Sequence, residues 1–317
     1  MTTSRTMILA AALAGLAQAV AACSSSSSAG GSGGDAANQA CDASFEAVYR
    51  DIYTCVGVEL PGDHVATLKT QYRKYCVAQL GEPGRTASAA QLEACAKAHQ
   101  AQTCGTQTTP AECKLDSFAG TLAEGAGCYE DAQCQSLFCA IDVNSDVSCG
   151  KCAKRVADGE ACSHATDVCV IGDRCDATSG KCVKATEVTP VAAGGGCIVS
   201  LQCEAALGCI NNKCAPRVGE GGACPNGDEC EQALGCDATA SKCTKRSLAK
   251  AGEACDGEVV LCETGNCNTP NPATKGTCPT VIADGAACTA TDGSQTCLEL
   301  STCIAGKCTP LDPTVCK

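Results

Sequence analysis

The first third of the chain places apolar residues three or four positions apart, which is the spacing of one face of an α-helix. One such stretch covers residues 45–56, and a second covers residues 65–80. A third follows Ser88, which together with Gln91 has the spacing of a capping box. The pattern predicts three amphipathic helices within residues 41–113.

Cysteines lie on or beside these apolar faces, where they can staple one helix to another. The cysteines of this segment are Cys41, Cys55, Cys76, Cys95, Cys104 and Cys113. We expect them to form three disulfides within a helical domain of residues 41–113. The same segment holds five of the eight aromatic residues of the chain. Since aromatic side chains dominate binding hot spots, we expect the helical domain to carry specific recognition.

From residue 114 onward the helical spacing disappears and a cysteine-rich repeat replaces it. The motif Gly-x-x-Cys occurs six times, and three more cysteines follow each occurrence. An apolar residue stands three positions before the glycine in five repeats, whereas in the fifth repeat Leu248 stands one place earlier. The cysteines of the six repeats are Cys128, Cys134, Cys139 and Cys152; Cys162, Cys169, Cys175 and Cys182; Cys197, Cys203, Cys209 and Cys214; Cys224, Cys230, Cys236 and Cys243; Cys255, Cys262, Cys267 and Cys278; and Cys288, Cys297, Cys303 and Cys308.

Each repeat is interpreted as a small module fastened by two disulfides. The glycine permits a backbone turn, and the segments between the third and fourth cysteines contain residues that favour tight hairpin turns, as in 209–214 and 303–308. We therefore predict a small disulfide-rich fold. It consists of a three-helix N-terminal domain stapled by disulfides and, over 114–317, an elongated array of six four-cysteine modules with short hairpins.

Composition favours a scaffold held by cross-links rather than by a large apolar core. Cysteine accounts for 33 of the 317 residues, aromatic residues for 3%, and tryptophan is absent. A disulfide that closes a short loop stabilises a fold by about 2–4 kcal/mol. The net charge of −12 argues against nucleic acid as a partner, since phosphate backbones require basic patches.

The N-terminal residues match a secretory signal, with one positive charge before an uncharged segment rich in alanine and leucine. Its end, Val20-Ala21-Ala22-Cys23, resembles the lipobox of bacterial lipoproteins. The resemblance implies a signal peptide over 1–22, lipidation of Cys23, and a Ser/Gly-rich membrane tether over 23–40. It also implies a place in the bacterial cell envelope, at the outer membrane or the cell surface. The alternatives are an uncleaved membrane anchor and an ordinary cleaved signal.

The repeats resemble the amino-terminal cysteine-rich modules of Dickkopf proteins and the cysteine-rich repeats of myxobacterial surface lipoproteins. The resemblance is carried by GAGCYEDAQCQSLFC at 125–139 and GGACPNGDECEQALGC at 221–236. It covers residues from about 120 to 317 and rests on cysteine spacing and one glycine. It implies the type of module but no function, and no receptor-binding residue of the animal proteins can be carried over to this chain.

Two motifs suggest chemistry, and each has a simpler interpretation. Cys149 and Cys152 have the spacing of a thioredoxin-type redox pair, but no strand–helix pattern surrounds them, and we favour structural half-cystines. Asp142, Asn144 and Asp146 alternate like the start of a calcium loop, but the glycine and the glutamate that an EF-hand requires are missing. A weak calcium site or a solvated insertion stays open there. We expect no catalytic site, no structural metal and no cofactor.

The repeat pattern uses 24 of the 26 cysteines after residue 114 and leaves Cys149 and Cys316 unassigned. These two can bond to each other, remain free, or exchange into neighbouring modules. A direct bond would fold the array back on itself. We therefore favour local pairing, with Cys149 bonded within 128–152 or to the helical domain, and Cys316 bonded within the sixth repeat or free.

These features predict a non-enzymatic, lipid-anchored protein of the envelope or cell surface with a spacer or binding role. Its partners would be the membrane, through the lipid, and an unidentified protein or glycan. Two alternatives from other classes stay open. One is a disulfide-rich protease inhibitor, and the other is a redox or metal-binding protein that uses Cys149 and Cys152. Thiol counting separates the redox alternative from the others.

Overall fold

The computed structural model contains three helices followed by a series of two- and three-stranded sheets. The residues it describes are 33–106, 108–114, 118–141, 149–163, 168–176, 178–184, 190–198, 200–225, 229–263, 267–268, 275–289, 294–298 and 300–310. The predicted class is confirmed, because the fold is small and disulfide-rich, with helices at its N-terminal end and antiparallel hairpins after them.

The three helices form the helical domain. They are α1 (Gly33–Ile52), α2 (Gly62–Leu80) and α3 (Ala89–Ala101). α1 begins earlier than the apolar pattern predicts, since residues 33–40, expected in the tether, form its first two turns. Asp35 lies in the first turn, where a carboxylate interacts favourably with the helix dipole. Ala40 is fully buried in a cluster with Cys41, Cys76 and Leu92, and this packing holds the added turns in place.

Disulfides staple the helical domain as predicted. They join Cys41 to Cys76, Cys55 to Cys104, and Cys95 to Cys113. The predicted start of α3 is also confirmed, because the Gln91 N–H donates to Ser88 Oγ at 3.2 Å.

All six repeats share one connectivity, in which the first cysteine bonds to the third and the second to the fourth. The pairs are Cys128–Cys139 and Cys134–Cys152; Cys162–Cys175 and Cys169–Cys182; Cys197–Cys209 and Cys203–Cys214; Cys224–Cys236 and Cys230–Cys243; Cys255–Cys267 and Cys262–Cys278; and Cys288–Cys303 and Cys297–Cys308. Spacing alone leaves three pairings open for four cysteines. The pairing within each repeat is therefore information that only the structure supplies.

Short strands complete the modules. They are β1 (Gly127–Cys128), β2 (Cys139–Ile141), β3 (Gly150–Cys152), β4 (Asp173–Asp176), β5 (Lys181–Lys184), β6 (Leu207–Ile210), β7 (Lys213–Pro216), β8 (Leu234–Asp237), β9 (Lys242–Lys245), β10 (Ser247–Ala249), β11 (Ala254–Cys255), β12 (Val260–Cys262), β13 (Gly276–Thr277), β14 (Thr280–Ile282), β15 (Gln295–Cys297), β16 (Ser301–Ile304) and β17 (Lys307–Pro310). Antiparallel hairpins join β2 to β3, β4 to β5, β6 to β7, β8 to β9 and β16 to β17.

The hairpins place the third and fourth cysteines of a repeat opposite each other. In β6 and β7, for example, Cys209 pairs in register with Cys214, and the turn residues Asn211 and Asn212 have φ values of +52° and +59°. Positive φ at both turn residues is the requirement of a type I′ hairpin turn. Because the facing cysteines bond to other partners, each pair of disulfides ties both strands of the hairpin to the preceding loop.

The glycine of Gly-x-x-Cys turns the chain back onto this hairpin. In the third repeat Gly194 has a φ of +86°, a conformation that L-residues rarely adopt. Its N–H donates to the Cys214 carbonyl at 2.7 Å, and the Cys214 N–H returns a bond to the Gly195 carbonyl at 2.9 Å. The repeated glycine therefore fixes how the first loop of a module meets its last strand.

The apolar residue before the glycine pairs in parallel with the second cysteine, as Val156 does with Cys169. The fifth repeat departs from the sequence rule for a structural reason. There Ala249 takes the place beside Cys262, and Leu248 pairs with Leu261. Leu248 is thus displaced from the standard position and is available for a contact outside the module.

The array folds back against the helical domain, so the predicted elongated arrangement is wrong. Gln71 of α2 donates to Asp284 of repeat 6 at 3.3 Å, across 213 residues of sequence. Arg246, between repeats 4 and 5, donates to the Val56 carbonyl at 3.0 Å. The physical reason is that apolar and polar groups of the helical domain find their partners in the repeats rather than in solvent.

Candidate functional site

The aromatic face of the helical domain is covered by repeat 5. Phe45 and Tyr49 stack with ring centroids 5.8 Å apart, and Leu248 and Leu261 pack against the cluster that contains both rings. The crevice that remains, closed on one side by Leu300, has a volume of about 20 Å³, which is little more than one water needs. This face, expected to carry recognition, is an internal contact of the protein.

Two glycines of the helical domain receive repeat 4 at close range. A Cβ atom on Gly57 would lie 2.7 Å from the Ala233 carbonyl oxygen, and one on Gly105 would lie 2.2 Å from the Gln232 side-chain nitrogen. At Gly57 the neighbour is backbone, so only glycine permits the approach, whereas the end of the Gln232 side chain could move away from Gly105. Neither glycine belongs to a repeated motif, so sequence patterns do not single them out.

Arginines at the junctions between modules were also missed. Arg155 donates from Nε to the Ser136 carbonyl of repeat 1 at 2.8 Å, and from Nη1 to the Cys169 carbonyl of repeat 2 at 3.0 Å. Arg217 donates from Nη1 to the Cys230 carbonyl of repeat 4 at 3.1 Å. Arg-Val immediately before the linker was a signal that could have revealed these inter-module clamps.

Arg246 extends the same role to the helical domain. Its Nε donates to the Glu258 carbonyl of repeat 5 at 3.0 Å, while Nη1 reaches the Val56 carbonyl and the Gln232 carbonyl of repeat 4. One guanidinium with several donors in a fixed plane thus joins three parts of the molecule.

A buried charge cluster joins repeat 1 to the helical domain. The side chains of Arg85 and Glu82 are 0% exposed, with Nε and Oε2 3.8 Å apart, and Arg85 also pairs with Glu130 of repeat 1. Gln79 Nε2 donates to Glu130 Oε2 at 2.9 Å. Burial lowers the pKa of Arg85 to about 10, and the charge of Glu82 opposes this shift. Because these groups are withdrawn from solvent, the cluster acts as an interdomain contact rather than as an open reactive site.

The cysteine sulfurs offer no thiolate ligands within the described residues, where all 31 cysteines are disulfide-bonded. Groups of three sulfurs, such as those of Cys128, Cys134 and Cys152, lie within 4.8 Å of one another. Metal binding to cysteine requires the deprotonated thiol. The sulfurs of these groups belong to disulfides. The sulfurs of Cys95 and Cys113, which lie beside His99, are likewise bonded to each other.

Cys149 and Cys152 are not bonded to each other. Cys152 is bonded to Cys134, and Cys149 is bonded to a different cysteine. The other cysteines of 128–152 and of the helical domain are all paired among themselves. The predicted local pairing of Cys149 is therefore wrong.

A shallow cleft of about 280 Å³ lies where repeats 3 and 4 meet the helical domain. Its lining residues are Cys104, Ala205, Ala206, Pro216, Arg217, Glu231 and Gln232. The sulfur in this lining belongs to a disulfide, and Arg217 is engaged with a backbone carbonyl. The lining therefore pairs no activated nucleophile with a base, which is the arrangement that covalent catalysis requires.

Large apolar side chains are exposed on the first three repeats. Within the described residues they are Ile141, Ile171 and Ile198, and Ile198 has the greatest exposed fraction, 84%. The Ile198 N–H donates to Gln202 Oε1 at 2.6 Å, and its neighbour Cys197 is buried in a disulfide. A fixed backbone thus presents this side chain to solvent.

Several predicted site residues lie outside the described residues. They are Cys23, Asp142, Asn144, Asp146 and Cys316. In the part of the chain that the structure covers, no helix has both the length and the apolar character needed to span a membrane. No family model, curated protein or solved structure matches the chain.

Proposed function

We propose that this protein is a non-enzymatic binding module of the bacterial envelope, anchored by lipid at Cys23 and displayed at the outer membrane or cell surface. The observation that carries the proposal is the uniform disulfide architecture, in which every described cysteine is bonded and six repeats share one connectivity. Such a scaffold suits an oxidising compartment outside the cytosol. The lipobox-like Val20-Ala21-Ala22-Cys23 supports the anchor.

A binding role is favoured over a spacer role by the way the array packs. A spacer works by extending away from its point of attachment. In this protein, repeats 4, 5 and 6 instead turn back onto the helical domain. The exposed isoleucines of repeats 1–3 supply apolar surface of the kind that a protein partner can cover. The ligand is taken to be a protein or a glycan, and neither a metal nor another cofactor takes part.

Replacement of Cys23 tests the anchor. In Cys23→Ala, fatty-acid labelling should be lost, and the protein should leave the membrane fraction or accumulate as precursor. Ser25→Ala is the matched control and should keep both properties. Protease added to intact cells should cleave the wild-type protein if it is displayed at the surface. Unchanged labelling of Cys23→Ala would refute the lipid anchor.

One observation favours a protease inhibitor as a second candidate. Ile198 is 84% exposed on a short loop between Cys197 and Cys203, both of which are held in disulfides. A short loop between two disulfide-bonded cysteines that exposes an aliphatic side chain suits the primary pocket of an elastase-type serine protease. The full-length protein should then inhibit such an enzyme, Ile198→Glu should abolish inhibition, and Ile171→Glu should leave it unchanged. Equal inhibition by all three proteins, or none by the wild type, excludes this candidate.

A further inference from the structure

The disulfide pairing points to a bond that closes the array. Of the 33 cysteines in the sequence, thirty are joined to one another in the pairs given above. Cys149 is also disulfide-bonded, and none of those thirty is free to be its partner. The two cysteines that remain in the sequence are Cys23 and Cys316, which lie outside the described residues.

The first and last repeats meet the same helix. Glu130 of repeat 1 accepts a hydrogen bond from Gln79 at 2.9 Å, and Asp284 of repeat 6 accepts one from Gln71 at 3.3 Å. Both glutamines belong to α2 and are eight residues apart, a rise of about 12 Å along the helix axis. Leu300 adds a second contact of repeat 6 with this side of the helical domain. The two ends of the array are therefore held near each other without any covalent link.

Several residues separate Cys316 from the last strand of the sixth module. β17 ends at Pro310, and the six residues from there to Cys316 can span about 20 Å when extended. Cys149 directly precedes β3, the central strand of the three-stranded sheet of repeat 1.

We infer that Cys149 is bonded to Cys316 and that this disulfide closes the six repeats into a covalent ring against the helical domain. The choice of Cys316 over Cys23 rests on the proposed lipidation, which consumes the Cys23 thiol. The two thiols lose two protons and two electrons to a disulfide oxidant, which becomes a dithiol. The bond couples the first and last repeats of the array.

Peptide mapping tests the bond directly. Cleavage before aspartate and after lysine, without reduction, should release residues 146–151 joined to residues 312–317, each carrying one cysteine. In the denatured, unreduced protein the wild type should contain no titratable thiol. Cys149→Ser and Cys316→Ser should each gain one thiol, and the double variant should gain none. Ser148→Ala is the matched control and should resemble the wild type.

The outcomes separate the ring from the anchor. If residues 146–151 are joined to the peptide that contains Cys23, both proposals fail. If Cys149 is joined elsewhere while fatty-acid labelling of Cys23 persists, the ring fails and the anchor stands. A free Cys316 thiol in the wild type also overturns the ring. The joined peptide without fatty-acid labelling supports the ring and refutes the anchor.

Discussion

Buried charged side chains help to hold repeat 1 on the helical domain. Arg85 is fully buried between Glu82 and Glu130, and burial lowers its pKa because the charged form is desolvated. Removal of one partner from a buried ion pair leaves an uncompensated charge. The same pairing on the surface contributes little, since solvent screens both charges.

Arg85→Met should destabilise the protein by about 3–5 kcal/mol, because it leaves two buried carboxylates without their cation. Lys97→Met is the matched control. It removes the exposed ion pair with Glu93, which has a distance of 2.7 Å, and should cost less than about 0.5 kcal/mol. Chemical unfolding followed by circular dichroism measures both. Equal effects would show that the buried cluster does not hold repeat 1.

The loss of the Arg85 cation in Arg85→Met also predicts a pH dependence. Without the cation, burial should raise the pKa of Glu82 and Glu130, so the folded state binds protons more tightly than the unfolded state. The stability of the variant should therefore rise as pH falls and the difference from wild type should shrink in acid. A difference that does not change between neutral and acid pH contradicts this account.

Substitution of a repeated glycine tests the effect of backbone conformation alone, because an added methyl group would clash with no neighbour. Gly194 has a φ of +86°, and a Cβ on Gly194 or on Gly196 would meet nothing within 4 Å. Gly194→Ala should cost about 1–2 kcal/mol from backbone strain alone. Gly196→Ala, identical in composition, should be neutral or slightly stabilising. Hydrogen exchange over residues 190–216 measures the local effect, and equal protection in the two variants would refute a role for the left-handed turn.

At the level of single elements, the turn between β8 and β9 stabilises its hairpin in addition to the disulfides. In the turn between β8 and β9, the Asp237 carboxylate accepts hydrogen bonds from the N–H groups of Thr239 and Ala240 at 2.8 and 3.1 Å. These bonds favour the ionised form and lower the pKa of Asp237. The ionised Asp237 side chain therefore stabilises the turn.

The Asp237 hairpin should loosen in acid. Since the folded-state pKa is depressed, its contribution to stability is present above the ordinary aspartate pKa and is lost as pH falls through the lowered value. Amide resonances of Thr239 and Ala240 followed by NMR should titrate in that range. In Asp237→Asn the side-chain acceptor remains but the titration should vanish, and a persistent titration would assign it to another group.

At the scale of the whole molecule, docking of the array depends on residues that depart from the repeat rule. Leu248 is displaced from the position that the other repeats use and packs on the aromatic cluster of Phe45. Arg246 adds hydrogen bonds to Val56 and to repeats 4 and 5. The fifth repeat therefore provides an apolar attachment between the array and the helices.

Leu248→Ala should weaken this attachment by about 1–3 kcal/mol, because a partly buried leucine loses its packing. Near-ultraviolet circular dichroism of the tyrosines and hydrogen exchange in α2 should both report a looser cluster. Ile198→Ala, an exposed aliphatic truncation, is the control and should leave both signals unchanged. If the two variants behave alike, the Leu248 contact does not hold the array.

The local units of the fold could be predicted from the amino-acid sequence. Apolar spacing located the three helices, Ser88 with Gln91 located the start of α3, and Gly-x-x-Cys with its later cysteines located the six modules and their hairpins. These features depend on residues close together in the chain, so their physics can be read from spacing. The fifth repeat even showed where the rule breaks, although not why.

The pairing within each repeat and the return of the array to the helices could not be predicted from the sequence. Four neighbouring cysteines allow several pairings of similar loop length, so spacing cannot choose among them. The contacts of Gly57 with Ala233 and of Leu248 with the Phe45 cluster join residues far apart in sequence. No periodic pattern records such contacts, because each depends on the shape of two surfaces that exist only after both have folded.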